Sequence, residues 1–179
     1  AEIMIISGNH DSAPRVDLFR KLLAERRIHM IGMPPVRPEE HIEKVTLNDE
    51  YGNVNVADIA AAIRPETFLI SVMAANNEIG TIQPVERIAG IAKRQNILFH
   101  TDAVQAYTNI PIDVKRQNID MLSTSAHKIC GPKGIGFLYI RNGTLKTPFI
   151  NGGGQENGMR SGTENVAGII GFAKAAAIA

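Results

Sequence analysis

The fold is decided by one stretch, Ser123-Thr124-Ser125-Ala126-His127-Lys128-Ile129-Cys130-Gly131-Pro132-Lys133-Gly134-Ile135-Gly136. The apolar segment Ile119 to Leu122 leads into it, and a second apolar segment, Phe137 to Ile140, follows it. Short apolar runs that are bounded by turn residues are typical of buried strands. The pattern therefore predicts a strand, a loop that carries Lys128, and another strand.

Lys128 has chemically useful neighbours in this loop. A lysine at a strand end among small residues loses part of its hydration, which favours the neutral, nucleophilic amine. Ser125 and His127 beside it can bind an anionic group such as a phosphate. A lysine that bonds to an aldehyde next to a phosphate site is what pyridoxal phosphate requires. Taken alone, the stretch also fits an ordinary strand-loop-strand with a solvated lysine.

Composition limits the classes of function. The chain has 179 residues, 44% of them hydrophobic, which is enough for one sizeable core. Its net charge is +1 and it has no basic block, so no nucleic-acid partner is expected. It has no run of about 18 apolar residues for a membrane and no signal-peptide pattern at its start. A single cysteine suits a reducing compartment, so a cytoplasmic location is expected.

Upstream of the lysine loop, apolar runs alternate with segments of helical periodicity. Strands are predicted near Ile3 to Ser7, Ile28 to Met33, Thr67 to Met73 and Ile97 to Asp102. Helices are predicted around Val16 to Leu23, from Asn55 or Asp58 to Ile63, over Val85 to Gln95, and from Val166 to the end. This alternation predicts an α/β fold with a mostly parallel sheet between helices, in three layers.

The predicted strand from Ile97 to Asp102 ends in a carboxylate. A carboxylate there can pair with a protonated pyridine nitrogen or cap the segment that follows; both roles can hold, and the lysine loop downstream favours the pairing with the ring nitrogen. His100 lies on the same strand face, because strand side chains alternate with period two. A metal cluster of His100, Asp102 and His127 lacks recognisable ligand spacing, so a buried, hydrogen-bonded His100 is favoured.

Four stretches, in this order, resemble the cysteine desulfurases and their relative selenocysteine lyase. They are Ala75-Asn76-Asn77-Glu78-Ile79-Gly80-Thr81-Ile82-Gln83-Pro84, then His100-Thr101-Asp102-Ala103-Val104-Gln105, then the lysine loop, then Gly152-Gly153-Gly154-Gln155-Glu156 with Arg160-Ser161-Gly162-Thr163-Glu164-Asn165. Four ordered matches are more specific than any single one. The resemblance favours a pyridoxal-phosphate enzyme with the large-domain fold of the aspartate-aminotransferase type.

The resemblance implies a role for each matching residue. Lys128 would bond to the cofactor and act as the general base, and His10 would stack on the ring, although Asn9 stands where family members often have Glu. The remaining contacts would be Asp102 to the ring nitrogen, Gln105 and Asn77 near the ring oxygen, Ser125 and His127 to the phosphate, and Thr163 to the phosphate of a second subunit. Local alternatives are a solvated His10, an Asn77 bonded to its own backbone, and Thr163 as a helix cap.

The resemblance also implies the setting. Residues 1–179 would form an incomplete cofactor-binding large domain, without the smaller domain and without the cysteine that accepts sulfur; Cys130 is not that cysteine. The parent would be a homodimer that converts L-cysteine to alanine and passes the sulfur to an acceptor protein. Selenocysteine lyase is the nearest alternative, a non-catalytic scaffold is the alternative from another class, and a metal-dependent hydrolase is a third. Because the activity would need segments outside this stretch, the 179 residues alone are expected to be inactive.

Overall fold

A computed structural model describes residues 2–6, 29–31, 49–144, 148 and 150–179, the first two ranges by their backbone alone. The strands are β1 (Glu2–Ile6), β2 (His29–Ile31), β3 (Thr67–Met73), β4 (Leu98–Asp102), β5 (Met121–Ser123) and β6 (Leu138–Ile140). The α-helices of this part of the chain are α1 (Val56–Ala62), α2 (Val85–Arg94) and α3 (Val166–Ile178), with short 3₁₀ turns at Ala126–Ile129 and Glu156–Gly158.

The strands form a single six-stranded sheet in the order β2-β1-β3-β4-β5-β6. The first five strands are parallel, and β6 returns antiparallel to β5. The carboxyl ends of β1, β3, β4 and β5 therefore meet at one edge, which is where open α/β sheets place their ligands. The predicted mostly parallel α/β fold is confirmed.

One face of the sheet is the hydrophobic core. Ile70, Val72, Phe99 and Leu122 are buried there at alternate strand positions, as the period of two requires. Helix α2 covers this face with a row of buried residues spaced three and four apart, Val85, Ile88, Ala89 and Ala92. The side chains that point the other way are largely half-buried and, near the carboxyl edge, mostly polar.

The two helices of this layer begin as the sequence predicts. Asn55 caps α1, because its side-chain oxygen accepts from the Ala57 N–H at 3.0 Å. Pro84 precedes α2, where its fixed φ suits the start of a helix. Of the two cap candidates for α1, Asn55 and Asp58, the first is confirmed.

Helix α3 packs against the lysine loop. Phe172 is buried with Ala126 and Ile129 of the 3₁₀ turn, and its ring stacks on Phe137 at a centroid distance of 5.6 Å. The backbone of Gly171 lies so close to Pro132 that a β-carbon would come within 2.5 Å of that ring. The last helix thus fixes the position of the loop.

The predicted strands agree with the observed ones to within one or two residues, and the last three helices are confirmed. The predicted helix near Val16 to Leu23 lies outside the described residues. No helix in the described ranges is long and apolar enough to cross a membrane.

Candidate active site

The predicted site residues that the structure describes gather mainly at the carboxyl edge of the sheet. Asp102 is the last residue of β4, Asn77 follows β3 by four residues, and Ser125 follows β5 by two. Thr163 is the exception, because it stands between the second 3₁₀ turn and α3 with an exposed side chain. His10 would follow β1 toward the same edge, but it lies outside the described residues.

The lysine loop is held as an extension of the β5–β6 ladder. The Thr124 N–H donates to the Phe137 carbonyl and the Ala126 N–H to the Ile135 carbonyl, both at 3.0 Å. The chain then forms a 3₁₀ turn that ends at Cys130, an exposed residue in the left-handed region at φ 62°. These two hydrogen bonds and the burial of Ala126 together restrict the backbone from Thr124 to Ala126.

Lys128 stands on this anchored turn with a free amine. Its side chain is half-buried and makes no hydrogen bond or ion pair to any residue that the structure describes. The neighbouring Lys133 is exposed in the Gly/Pro turn beyond it. Between the two lysines, the geometry favours Lys128 as the one that faces a bound group.

Ser125 and His127 form a hydrogen-bonded pair close to Lys128 in sequence. The Ser125 Oγ lies 2.6 Å from the His127 Nδ1. If the hydroxyl donates to Nδ1, the Nε2–H is free; if Nδ1–H donates, the hydroxyl hydrogen is free. Either tautomer therefore leaves a donor for an anionic oxygen, next to the Lys128 ammonium or amine.

Asp102 is half-buried and fixed through one oxygen. Its Oδ1 accepts from the Val104 N–H at 2.8 Å, which caps the turn after β4. Its Oδ2 accepts no hydrogen bond from the described residues, so it can pair with a ring N–H. The capping role and the pairing role are compatible, since they use different oxygens.

Gln105 carries the most informative atom of the site. Its Oε1 is buried and has no hydrogen-bond partner among the described residues. Gln105 stands in the first of two successive turns after Asp102, which is closed by the Tyr107 N–H to the Ala103 carbonyl at 2.7 Å. A buried polar atom without a partner costs about 1–3 kcal/mol, and its presence points to a group that completes the site.

The two adjacent asparagines have different roles. Asn76 accepts from the N–H groups of Glu78 and Ile79 at 2.9 and 3.1 Å, and so shapes the loop after β3. Asn77 is half-buried, and its amide makes no hydrogen bond within the described part of the chain. The plain alternative, in which Asn77 bonds to its own backbone, is wrong; Asn76 does that, and Asn77 is available to a ligand.

Thr163 does not join the other residues within this chain. Its side chain makes no hydrogen bond to a described residue. The alternative role as the cap of α3 is wrong, because Asn165 caps that helix by accepting from the Gly168 N–H at 3.0 Å. Thr163 is thus an exposed threonine without an assigned partner in the chain.

His100 is hydrogen-bonded, as the sequence favours, but it is half-buried rather than fully buried. Its Nδ1 lies 2.7 Å from the Ser71 Oγ and its Nε2 lies 3.2 Å from the Ser123 Oγ. Burial lowers the pKa of His100 below its usual 6.5, and the nearby charge of Asp102 opposes this only in part. The alternation of side chains along a strand predicts that His100 lies on the same face as Asp102. Its contacts with Ser71 and Ser123 could not be predicted, because they depend on the order of the strands in the sheet.

The metal cluster that the sequence allowed is absent from the described residues, where no group of three His, Cys, Asp or Glu side chains could hold an ion. Asp102 and His127 are instead engaged with Val104 and Ser125. In the described ranges, the candidate site therefore combines a lysine amine, amide and carboxylate groups with the hydrogen-bonded pair of Ser125 and His127.

The family model for class-V aminotransferases matches residues 39–179. Over 131 residues the chain is 59% identical to cysteine desulfurase IscS of Clostridium botulinum, which covers 73% of this chain and 33% of that protein. It is 50% identical over 141 residues to the mitochondrial cysteine desulfurase of Saccharomyces cerevisiae, covering 77% of this chain and 28% of the relative. The solved structure of SspA in complex with cysteine is 36% identical, with a TM-score of 0.78 over 98% of this chain and 47% of SspA.

Proposed function

The chain belongs to the class-V aminotransferase family, and on that premise we propose that it is the cofactor-binding part of a cysteine desulfurase. The reaction would move the sulfur of L-cysteine to an enzyme thiol. The carbon–sulfur bond of the substrate breaks and a sulfur–sulfur bond forms, so that the thiol becomes a persulfide and the substrate leaves as alanine. The structural observation that supports this most directly is the buried Gln105 Oε1, three residues after Asp102, which has no hydrogen-bond partner among the described residues.

The residues at the edge fit pyridoxal phosphate, the cofactor of this family. When bound, the cofactor supplies an electron sink for bond cleavage at the substrate's carbon atoms. Lys128 would bond to its aldehyde carbon, Asp102 would pair with the ring nitrogen, and Ser125 with His127 would hold the phosphate. The Gln105 amide, which can present either its oxygen or its NH₂ by rotation, would contact the ring oxygen together with Asn77.

Residues of the chain would carry out the proton transfer and hold the cofactor ring in position. The Lys128 amine, free of any described partner, would take the proton from the substrate's Cα as general base. Asp102 would face the ring nitrogen through its Oδ2, since the Val104 N–H uses only its Oδ1. His10 would cover the other side of the ring.

The chain spans about a third of the length of the curated relatives it matches. Residues 1–179 would form most of the cofactor-binding domain of a longer protein, with the sulfur-accepting thiol elsewhere. Cys130 is unsuited to that role within this proposal, because it ends the anchored 3₁₀ turn and cannot travel to the substrate. The exposed Thr163 is consistent with a homodimer in which it touches the partner's phosphate, and a sulfur-acceptor protein and a cytoplasmic location complete the proposal.

The test is covalent attachment of the cofactor. The purified protein, incubated with pyridoxal phosphate, should show a visible absorption band, and borohydride should fix the cofactor on the peptide that contains Lys128. Lys128→Ala should abolish both signals, whereas Lys133→Ala, a matched change in the exposed turn, should keep them. Attachment to another lysine, or none in the wild type, would contradict the assignment.

Substrate choice needs its own measurement. Selenocysteine lyase would use the same cofactor residues, so turnover of cysteine and of selenocysteine by the full-length protein must be compared. Sulfide or persulfide release from cysteine at the higher kcat/KM is the expected result. A protein that binds the cofactor but turns over neither amino acid would be a scaffold.

A further inference from the structure

His100 ties together three neighbouring strands through its side chain. Its ring stands on β4, and its two nitrogens meet the hydroxyls of Ser71 on β3 and Ser123 on β5. Ser71 is the direct ladder partner of His100, whereas Ser123 is the direct partner of Asp102. The bridge therefore runs diagonally, from the β3 side toward the strand that carries the lysine loop.

The bridge serves more than the stability of the sheet. The backbone ladders already join these strands, and the opposite face of β4 is anchored in the core by Phe99 and Thr101. His100 shares its face with Asp102, two residues on, and Ser123 lies five residues before Lys128. Its ring is thus fixed between the hydroxyls of Ser71 and Ser123, on the sheet face that Asp102 shares and on the strand side from which the lysine loop starts.

The neutral imidazole of His100 also leaves the Asp102 carboxylate without an imidazolium partner. Burial favours the neutral imidazole, as the lowered pKa of His100 indicates, although Asp102 is close enough to raise it in part. A neutral ring has one N–H, so it donates to one serine and accepts from the other. Both nitrogens are then used, and no imidazolium competes with a bound pyridine nitrogen for the carboxylate.

We propose that His100 is a positioning residue that sets Asp102 relative to Lys128 through Ser71 and Ser123. This inference rests on the proposed function. It assigns to His100 an indirect effect on the cofactor: the imidazole touches neither the substrate nor the ring, and acts on the ring nitrogen through Asp102. Its loss should change how the bound cofactor is held and protonated, in addition to any loss of stability.

The test compares two side chains on opposite faces of β4, the half-buried His100 and the buried Thr101. His100→Phe keeps an aromatic ring at this position, slightly larger than imidazole, and removes both hydrogen bonds. Thr101→Val, the control, removes the bond from the Thr101 hydroxyl to the Val72 carbonyl (2.8 Å) on the other face. Both variants lower the melting temperature, but we expect only His100→Phe to weaken pyridoxal phosphate binding, by about tenfold, the equivalent of one hydrogen bond.

The spectrum separates positioning from stability. With His100→Phe the visible band of the bound cofactor should shift, because the ring nitrogen is less well paired with Asp102, whereas Thr101→Val should leave the band unchanged. His100→Gln, whose amide can donate to one serine and accept from the other, should restore most of the affinity and the wild-type band. Ser123→Ala tests the same bridge if His100→Phe does not fold, with a smaller loss of affinity and the same direction of shift.

Two different results would contradict the positioning role of His100 and the proposed function separately. Equal cofactor affinity and spectra for the His100 and Thr101 variants would overturn the positioning role while the cofactor site stands. A wild-type protein that attaches no cofactor to Lys128 would overturn the proposed function, and this inference with it.

Discussion

Asp102 and Ser123 are direct partners at the last position of the β4–β5 ladder. The Ala103 N–H donates to the Ser123 carbonyl at 2.9 Å and continues the pairing one step further. The carboxylate that would pair with the ring nitrogen and the loop that carries Lys128 therefore leave the sheet side by side. The register of the β4–β5 ladder therefore determines where both the Asp102 carboxylate and the lysine loop begin relative to each other.

Gln105→Leu should have opposite effects on stability and on binding. Leucine removes a buried oxygen that has no partner in the described residues, so the unfolding free energy of the cofactor-free protein should rise by about 1 kcal/mol. Pyridoxal phosphate affinity should fall, because the ring oxygen loses a contact. Urea unfolding of the cofactor-free protein and a binding titration measure the two effects.

The control for this change is Gln117→Leu. The Gln117 side chain is also half-buried, but its Oε1 accepts from the Asp113 N–H at 3.0 Å. Its replacement should therefore lower the unfolding free energy and leave cofactor binding unaltered. A fall in stability for both variants would show that the Gln105 oxygen is satisfied in solution.

Gly136→Ala should dislodge the lysine loop. A β-carbon at Gly136 would lie 2.3 Å from the Thr124 carbonyl oxygen, which is backbone that cannot rotate away. The two strands of the loop must then separate, at a cost of about 3 kcal/mol, and attachment of the cofactor to Lys128 should be lost. Thermal melting and borohydride labelling measure the two effects.

Gly134→Ala is the matched change within the same loop. Nothing lies within 4 Å of its β-carbon, but its φ is +77°, so it should cost about 1 kcal/mol through backbone strain alone. Cofactor attachment should survive. If Gly136→Ala labels as well as Gly134→Ala does, the loop tolerates the separation of its strands.

His100 should make stability fall below neutral pH. Its pKa in the folded protein is lowered from 6.5, so the unfolded chain binds more protons as the pH drops past that value. The contribution is fully present above about pH 6.5 and is lost as the pH falls toward the folded pKa. Urea unfolding at pH values on either side of 6.5 should give a steeper decline for wild type than for His100→Gln; parallel declines would assign the effect to other groups.

The strands and the edge where they end were predictable from the sequence because they depend on local patterns. Thr67 to Met73 is a nearly continuous apolar run, and a strand of that kind is covered on one or both faces wherever it lies in a sheet. The polar residues directly after such runs, Asp102 and Ser125 among them, then fall at the carboxyl edge of parallel strands. The local sequence therefore determines both the strands and the polar residues at their carboxyl ends.

Other features depend on contacts between distant segments. The order of the strands decides that Ser71 and Ser123 flank His100, and no local pattern contains that order. The choice between Asn76 and Asn77 depends on which amide the turn after β3 consumes. Asn165 replaces Thr163 as the cap of α3 because both residue types suit that position, and the exact start of the helix decides between them.

The close approach of Gly171 to Pro132 has a consequence for motion. Because the last helix and the lysine loop touch backbone to ring, with Phe172 buried against Ala126 and Ile129, the loop cannot open while the helix stays docked. The two segments, some forty residues apart in sequence, should then behave as one cooperative unfolding unit. Displacement of the loop that carries Lys128 would then carry the free-energy cost of undocking a whole helix, which makes the position of this loop one of the more persistent features of the fold.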